Sequence, residues 1–254
     1  MKKLWQQIDR LLRSRESFFT PSSLQQIDLN QLVLVCIFLG ATYGFFMSWY
    51  GISSRPASEW LQISACLWKV PVLFLMTLFI CFPSLYVFST FLGSRLSFLQ
   101  TLKLLVGIVG ITVIVLASFG PIVAFFSLCT TSYPFMKVLN VIFFVIAGLF
   151  GITALIRALR SMLESIRDEP SSSPNEPPPS GYPPVLPVRY DDGALSRRVN
   201  TVFRIWVVIY ALVGAQMGWV LRPFLGHPGS RFSWFRPRQS NFFIDVWDAI
   251  RKLF

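Results

Sequence analysis

Long apolar runs separated by short polar stretches dominate the chain from residue 31 onward. The first four runs are each near or above the ~20 residues that an α-helix needs to cross about 30 Å of hydrocarbon. A fifth, bounded by Arg204 and Arg222, lies at the short end of the spanning range. The runs are residues 31–50, 68–93, 101–128, 134–159 and 205–221. The pattern predicts an all-α, polytopic transmembrane helical bundle of about five spans.

Both ends of the chain show the periodicity of amphipathic helices. Over residues 4–19, apolar side chains recur every three or four positions among arginines. Residues 240–254 carry acidic side chains toward the start and basic ones toward the end, which suits the helix dipole. Both segments are predicted to lie on the membrane surface, with packing against a neighbour as the alternative. The C-terminal apolar stripe comprises Phe243, Val246, Trp247, Ile250 and Phe254.

A proline-rich linker separates the fourth run from the fifth. Eight prolines in the twenty residues 169–188 favour polyproline II or an unfolded chain. A spacer is the expected role, and a docking segment for a partner domain is the alternative. The predicted organisation is a cytoplasmic amphipathic segment (1–30), a four-span membrane domain (31–162), a cytoplasmic linker (163–200), a fifth transmembrane helix (201–222) and a basic, aromatic tail (223–254).

Composition excludes a soluble globular domain. Hydrophobic residues make up 54% of the 254 residues and charged residues only 14%, whereas soluble domains carry about 25% charged residues. No Asp or Glu lies between Glu59 and Glu164, as expected where hydrocarbon excludes carboxylates. The net charge of +11 comes from Lys and Arg that flank the runs. This placement favours membrane lipids as partners and argues against nucleic acid.

The distribution of Lys and Arg predicts the orientation. The N-terminal segment carries five basic residues, the loop 51–66 carries one and the loop 129–136 carries none. The N-terminus, the short loop between the second and third runs, and the linker are therefore expected in the cytoplasm. Five crossings leave the basic tail outside. Either basic residues near the C-terminus are tolerated outside the cytoplasm, or the fifth run does not cross the membrane. We predict that it crosses.

Polar chemistry inside the runs is sparse. Lys137, Asn140 and Gln216 stand out beside Ser and Thr, and the runs contain no Asp, Glu or His. Proton-coupled carriers, metalloproteases and acid–base hydrolases need such groups, so no enzyme is predicted. The four cysteines lack metal-ligand spacing, and His227 is expected in a turn. No cofactor or metal is expected.

Small residues four positions apart predict helix-packing contacts. Glycine and alanine at this spacing let membrane helices approach closely. Packing within one subunit is expected ahead of contacts between subunits. The residues are Gly40, Gly44, Ala147, Gly151, Gly214 and Gly218.

Glycine and proline also interrupt the third run. Gly120 and Pro121 predict a bend, because proline removes a backbone hydrogen bond. Gly107 and Gly110 loosen the same helix. A kink supported by neighbouring helices is the ordinary outcome, and a pore lining is the less common one.

Arginines interleaved with aromatic residues mark the end of the fifth run and the tail. They are Arg222, Arg231, Arg236 and Arg238. Such side chains suit contacts with lipid phosphates at the membrane boundary. A cationic vestibule that selects anions is the alternative.

Several short motifs lie between residue 68 and about residue 159. They are Lys69-Val-Pro71, Phe82-Pro-Ser-Leu-Tyr86, Leu92-Gly-Ser-Arg-Leu96 with Thr101-Leu-Lys103, and Ser118-Phe-Gly-Pro121. Through them the chain resembles the Yip family of five-span membrane proteins, in its bacterial branch. The resemblance implies the five-span architecture and a place in a bacterial plasma (inner) membrane, and none of the motifs is catalytic. Eukaryotic relatives act in vesicle trafficking with small GTPase partners, but a shared fold does not by itself carry a function.

Three functions stay open at this point. The leading prediction is a non-enzymatic membrane-organising or accessory subunit that acts through helix–helix and lipid contacts, in a homo-oligomer or a membrane-protein complex. The second is a homo-oligomeric ion channel or pore, with a preference for anions, lined by the third run and guarded by the tail arginines. The third is a lipid-handling or other membrane enzyme.

Overall fold

The computed structural model describes residues 28–54, 59–91, 98–167, 192–222, 224–225, 234–235 and 241–253. Within these ranges the chain forms helices and no strand, so the prediction of an all-α fold is confirmed. The helices of the described part are α1 (Leu29–Ser54), α2 (Glu59–Phe91), α3 (Phe98–Ser118), α4 (Gly120–Cys129), α5 (Tyr133–Arg167), α6 (Asp192–Val220) and α7 (Phe242–Arg251).

Four helical stretches of the described chain are long and apolar enough to cross a membrane. They are Leu29–Gly51, Trp60–Ser84, Phe98–Cys129 and Tyr133–Ala158, with 23, 25, 32 and 26 residues. The prediction of an integral membrane protein with transmembrane helices is confirmed at this level. Within α6, Ile205–Val220 is apolar but shorter.

The second span begins earlier than its hydropathy predicts. The apolar run starts at Trp68, but α2 begins at Glu59, and the polar Gln62 is buried in it. The Gln62 side-chain amide donates to the backbone oxygen of Phe224 at 2.9 Å, and the Cys66 thiol donates to the same oxygen at 2.8 Å. Burial of a polar side chain costs little when a hydrogen bond satisfies it. A partner from far along the chain therefore lengthens the helix.

The third span is interrupted at Phe119, directly before Gly120. Pro121 lies in the first turn of α4, where its missing N–H leaves no intrahelical bond unmade. The backbone bonds continue across the break, since the Phe119 N–H donates to Leu116 and the Val123 N–H donates to Phe119, both at 3.0 Å. The span therefore changes its winding locally without leaving an open gap in its hydrogen bonds.

Helix α1 lies at the centre of the bundle and packs against α2, α3 and α4. Its approach to α2 depends on two glycines. A Cβ atom added at Gly40 would lie 3.2 Å from the Pro71 ring, and one added at Gly44 would overlap the backbone oxygen of Cys66. Lipid offers no hydrophobic drive for helix association, so such close backbone packing supplies much of the attraction.

Two tyrosines of α1 carry hydrogen bonds through the interior. The Tyr43 hydroxyl donates to Asn140 Oδ1 on α5 at 2.7 Å, and Asn140 Nδ2 donates to the Met136 backbone oxygen at 2.8 Å. The Tyr50 hydroxyl donates to the backbone oxygen of Thr131 at 2.8 Å, just before α5 begins. These bonds fix α5 against α1 at two depths.

The C-terminal half of α6 runs antiparallel to α2. The Trp206 indole N–H donates to the Ser84 hydroxyl at 3.1 Å. Cβ atoms added at Gly214 or Gly218 would each lie 3.6 Å from an α2 side chain, at an ordinary van der Waals separation. The paired positions are Trp206–Ser84, Gly214–Thr77, Gly218–Leu73 and Phe224–Gln62.

Outside the predicted runs, the helices reach into both ends of the predicted linker, because α5 continues to Arg167 and α6 begins at Asp192. The proline-rich residues 169–188 and the N-terminal residues 4–19 lie outside the described residues. The tail contributes α7, which packs against α5 and α6. Its Ala249 is buried, whereas Phe243 and Trp247 are exposed. Placement of α7 on a membrane surface stays a prediction.

Candidate functional site

Helices α5 and α6 frame a cleft of about 700 Å³. Because α5 packs against α3 and α6 packs against α2, the two helices stand side by side over a floor built from α2 and α3. Phe74 of α2 stacks on Phe144 of α5, with ring centroids 5.9 Å apart. Helix α7 closes one end of the cleft. The volume falls in the range of about 300–1,000 Å³ that is usual for sites that bind small molecules.

Apolar side chains form most of the cleft surface, and the cleft opens sideways. Val145 and Leu149 line it and are 56% and 57% exposed. Gly148 lies between them, and a Cβ atom added there would meet nothing within 4 Å. Large exposed apolar side chains on a membrane span face lipid tails. The opening is therefore bordered by exposed apolar side chains of a helix that is long enough to cross a membrane.

The two threonines that line the walls are already hydrogen-bonded. The hydroxyl of Thr77 donates to the Leu73 backbone oxygen at 2.7 Å, and that of Thr112 donates to Ile108 at 3.1 Å. The Asn140 amide is engaged in the bonds to α1 described above. The walls consequently offer a ligand mainly apolar contact.

Charged side chains gather at the end that α7 covers, called here the polar end of the cleft. Lys137 Nζ lies 2.6 Å from Asp245 Oδ2, which links α5 to α7. The same ammonium group lies 5.3 Å from the centroid of the Tyr133 ring. Both partners of the ion pair keep some solvent contact, so the pair orients α7 more than it adds stability.

Trp219 and Arg222, one turn apart at the end of α6, also line the polar end. The Arg222 guanidinium carbon lies 3.5 Å from the centroid of the Trp219 ring, a cation–π contact. Trp219 is only 5% exposed. Its indole N–H has no hydrogen-bond partner among the residues that the structure describes. Lys252 and Asp248 of α7 complete this end.

The predicted packing residues lie at contacts within the protomer. Gly40, Gly44, Gly214 and Gly218 lie between α2 and its neighbours, as described above. Ala147 is fully buried in α5. A Cβ atom added at Gly151 would overlap the Thr112 hydroxyl on α3.

The residues predicted to bend or line the third span are mostly internal. Gly107, Gly110 and Gly120 are buried inside the protomer, and Pro121 is exposed. A side chain at Gly120 would overlap the Phe46 ring of α1. Of the predicted lipid or anion contacts, Arg222 lies at the polar end of the cleft, while Arg231, Arg236 and Arg238 lie outside the described residues, as does His227.

Sequence reasoning missed the cleft and the partner of Lys137. A lone lysine near the start of an apolar run signals that a carboxylate could approach it, but Asp245 lies 108 residues further along the chain. Lys69 is a similar case, because its ammonium group donates to the backbone oxygen of Trp234 at 2.7 Å. Lys69 and Lys137 thus both meet residues of the C-terminal tail.

No protein-family model matches the chain, and neither a curated protein nor a solved structure matches it. The similarity to the Yip family stays a prediction carried by its motifs. Function has to be inferred from the cleft.

Proposed function

We propose that this chain is a non-enzymatic integral membrane protein that holds a membrane lipid in the cleft between α5 and α6, and that it acts as an organising or accessory subunit. The observation that carries the proposal is the form of the cleft. Its walls are apolar and open toward the hydrocarbon, and its charged side chains stand together at one end. A phospholipid has the same division into apolar chains and polar head group.

The depth of the cleft suits an acyl chain. Lining residues on α5 extend from Tyr133 to Leu155, which spans about 33 Å at a helical rise of about 1.5 Å per residue. Since the hydrocarbon core is about 30 Å thick, an acyl chain of one leaflet needs only part of this length. The head group then stands beside Lys137, close to where the span begins.

Binding without catalysis fits the chemistry of the walls. The hydroxyls of Thr77 and Thr112 are committed to their own helices, and Asn140 is committed to Tyr43. A ligand in the apolar part of the cleft therefore meets side chains that pack and exclude water. Such a site suits a lipid that is retained as part of the assembly.

We also propose that α6 crosses the membrane as the fifth span, which gives the Yip-like five-span architecture. Its support is the pairing with α2, which extends from Trp206 beside Ser84 to Phe224 beside Gln62. A helix that accompanies a spanning helix over this length traverses the same depth. In this topology the N-terminus is cytoplasmic and the tail lies on the opposite face of a bacterial plasma membrane.

Reporter fusions in bacteria test this topology. Green fluorescent protein should fluoresce when it is fused before Met1 or inserted between Arg167 and Asp192, because both sites are expected in the cytoplasm. Alkaline phosphatase should be active when it is fused after Phe254. Fluorescence of green fluorescent protein fused after Phe254 would show an even number of crossings and contradict the fifth span.

Replacing Gly148 by phenylalanine tests the lipid cleft. The ring should occupy the open space beside α5 and lower lipid retention by about tenfold or more, equivalent to about 1.4 kcal/mol of binding free energy. Native mass spectrometry of gently extracted protein measures the lipid that stays bound. Gly148→Ala is the matched control, since a single methyl group leaves the cleft open. Equal retention by wild type and Gly148→Phe would contradict the proposal.

The same spectra test the accessory role. Stoichiometric co-extraction with other membrane proteins supports it. A single homo-oligomer that carries neither a partner chain nor bound lipid would contradict it and favour the pore.

A further inference from the structure

The Trp219 indole N–H is the most informative polar group in the cleft. Buried tryptophan N–H groups usually have a hydrogen-bond acceptor, and burial without one is unfavourable. Trp219 is 5% exposed and lines the polar end, yet no described residue accepts from its Nε1. A ligand atom with a lone pair would satisfy this donor.

The charge around this donor indicates the kind of acceptor. The polar end contains three cations and two carboxylates, which leaves a net charge of +1. Lys137 and Asp245 neutralise each other at 2.6 Å. Arg222, stacked on the Trp219 ring, places its positive charge next to the indole N–H. The surplus favours a ligand with one negative charge. The cations are Lys137, Arg222 and Lys252, and the carboxylates are Asp245 and Asp248.

We propose that the polar end of the cleft binds the phosphodiester of an anionic phospholipid. Trp219 Nε1 donates to a phosphate oxygen, and Arg222 and Lys252 balance the phosphate charge. Arginine and lysine are the usual partners of phosphate groups in proteins. This inference rests on the proposed function, because it assigns the head group of the lipid whose acyl chain occupies the cleft.

Charge separates the candidate lipids. A phosphatidylglycerol head group brings one negative charge and neutralises the site. Phosphatidylethanolamine adds an ammonium group to the same phosphate, and this group would stand among Lys137, Arg222 and Lys252. Diacylglycerol has the acyl chains without the phosphate. With identical acyl chains, diacylglycerol against phosphatidylglycerol tests the contribution of the phosphate. Phosphatidylethanolamine against phosphatidylglycerol tests the contribution of the net charge.

The test is a competition measured by native mass spectrometry. Delipidated full-length protein in detergent is offered phosphatidylglycerol, phosphatidylethanolamine and diacylglycerol in equal amounts. We expect phosphatidylglycerol to dominate the bound fraction. Trp219→Phe keeps the ring but loses the donor, so it should weaken phosphatidylglycerol binding about tenfold, as expected for a hydrogen bond to a charged group. Arg222→Gln should remove the preference for phosphatidylglycerol over phosphatidylethanolamine.

Trp60→Phe is the matched control, because Trp60 is 82% exposed on α2 and should bind lipid as wild type does. Thermal unfolding of each variant shows that a loss of binding is not a loss of folding.

Each other outcome has a defined meaning. Equal binding of diacylglycerol and phosphatidylglycerol, or unchanged binding by Trp219→Phe, overturns the phosphate site while the lipid cleft stands. Equal binding of the two phospholipids overturns the selection for an anion. Displacement of phosphatidylglycerol by millimolar inorganic phosphate assigns the site to free phosphate and overturns the lipid as its source. Failure to retain any of the three lipids contradicts the proposed function itself.

Discussion

Replacing Gly44 by alanine is expected to leave little folded protein. The added Cβ atom would overlap the backbone oxygen of Cys66, so α1 and α2 could not keep their present separation. A backbone oxygen has no alternative rotamer, and relief requires movement of a whole helix. Inserted methyl groups in well-packed cores typically cost about 1–3 kcal/mol and occasionally more. We expect a cost above about 3 kcal/mol here.

The loss of stability caused by Gly44→Ala should be severe because α1 lies at the centre of the bundle. Separation from α2 would also disturb Gly40 beside Pro71, one helical turn away. The measurement is the yield of monodisperse protein after extraction, together with the temperature of unfolding in detergent.

Gly148→Ala again serves as the control for Gly44→Ala. No atom lies within 4 Å of the added methyl group, and alanine favours a helix over glycine by about 1 kcal/mol. Its unfolding temperature should equal or exceed that of the wild type. Gly44→Ala with a wild-type unfolding temperature would show that α1 and α2 do not depend on close approach at this point.

Replacing Gly151 by alanine should also destabilise the protein, but this defect can be repaired. Here the added methyl group would overlap the Thr112 hydroxyl, which is a side-chain atom. The hydroxyl already donates to the Ile108 backbone oxygen at 3.1 Å, so its rotation breaks that bond. We expect a loss of about 1–3 kcal/mol in the free energy of unfolding.

A double-mutant cycle separates this contact from a general intolerance of alanine. Thr112→Ala removes the obstructing hydroxyl, so the Gly151→Ala and Thr112→Ala changes together should cost less than the sum of the single changes. Additive costs would show that the two residues are not in contact. No equivalent repair exists for Gly44, where the obstacle is the main chain.

Much of the fold follows from hydropathy along the sequence. The first apolar run was predicted at residues 31–50, and the span is Leu29–Gly51. The third was predicted over residues 101–128 with a bend at Gly120, and its helix breaks at Phe119. These features depend on local composition and on proline, which act within one or two turns.

Features that depend on distant partners did not follow from the sequence. Gln62 is polar, so hydropathy alone starts the second run only at Trp68, but a hydrogen bond to the backbone oxygen of Phe224 lets the helix start at Glu59. Similarly, the sequence marks Lys137 as unusual without indicating Asp245. Such pairs form only after the bundle brings the ends of the spans together.

The candidate cleft depends on which helices pack together, and the pattern of apolar residues along the sequence does not reveal this. It exists because α5 packs on α3 and α6 packs on α2, and this choice of neighbours is a property of the whole bundle. The sequence indicated Arg222 as a contact for phosphates. Trp219 was only one of the aromatic residues interleaved with the arginines, and nothing in the sequence marked Gly148. Their interest comes from a buried donor and from empty space.

The separation of α6 from α5 also has a consequence for how the protein is synthesised. Helix α6 packs against α2, and α2 leaves the ribosome long before α6 does. The earlier spans pack against one another around α1. Translation of the residues between Arg167 and Asp192 lasts roughly one to five seconds at about 5–20 residues per second. Synthesis of these residues takes much longer than the formation of a helix. We therefore expect the first four spans to be assembled when α6 emerges, so that it docks onto a finished surface and closes the cleft last.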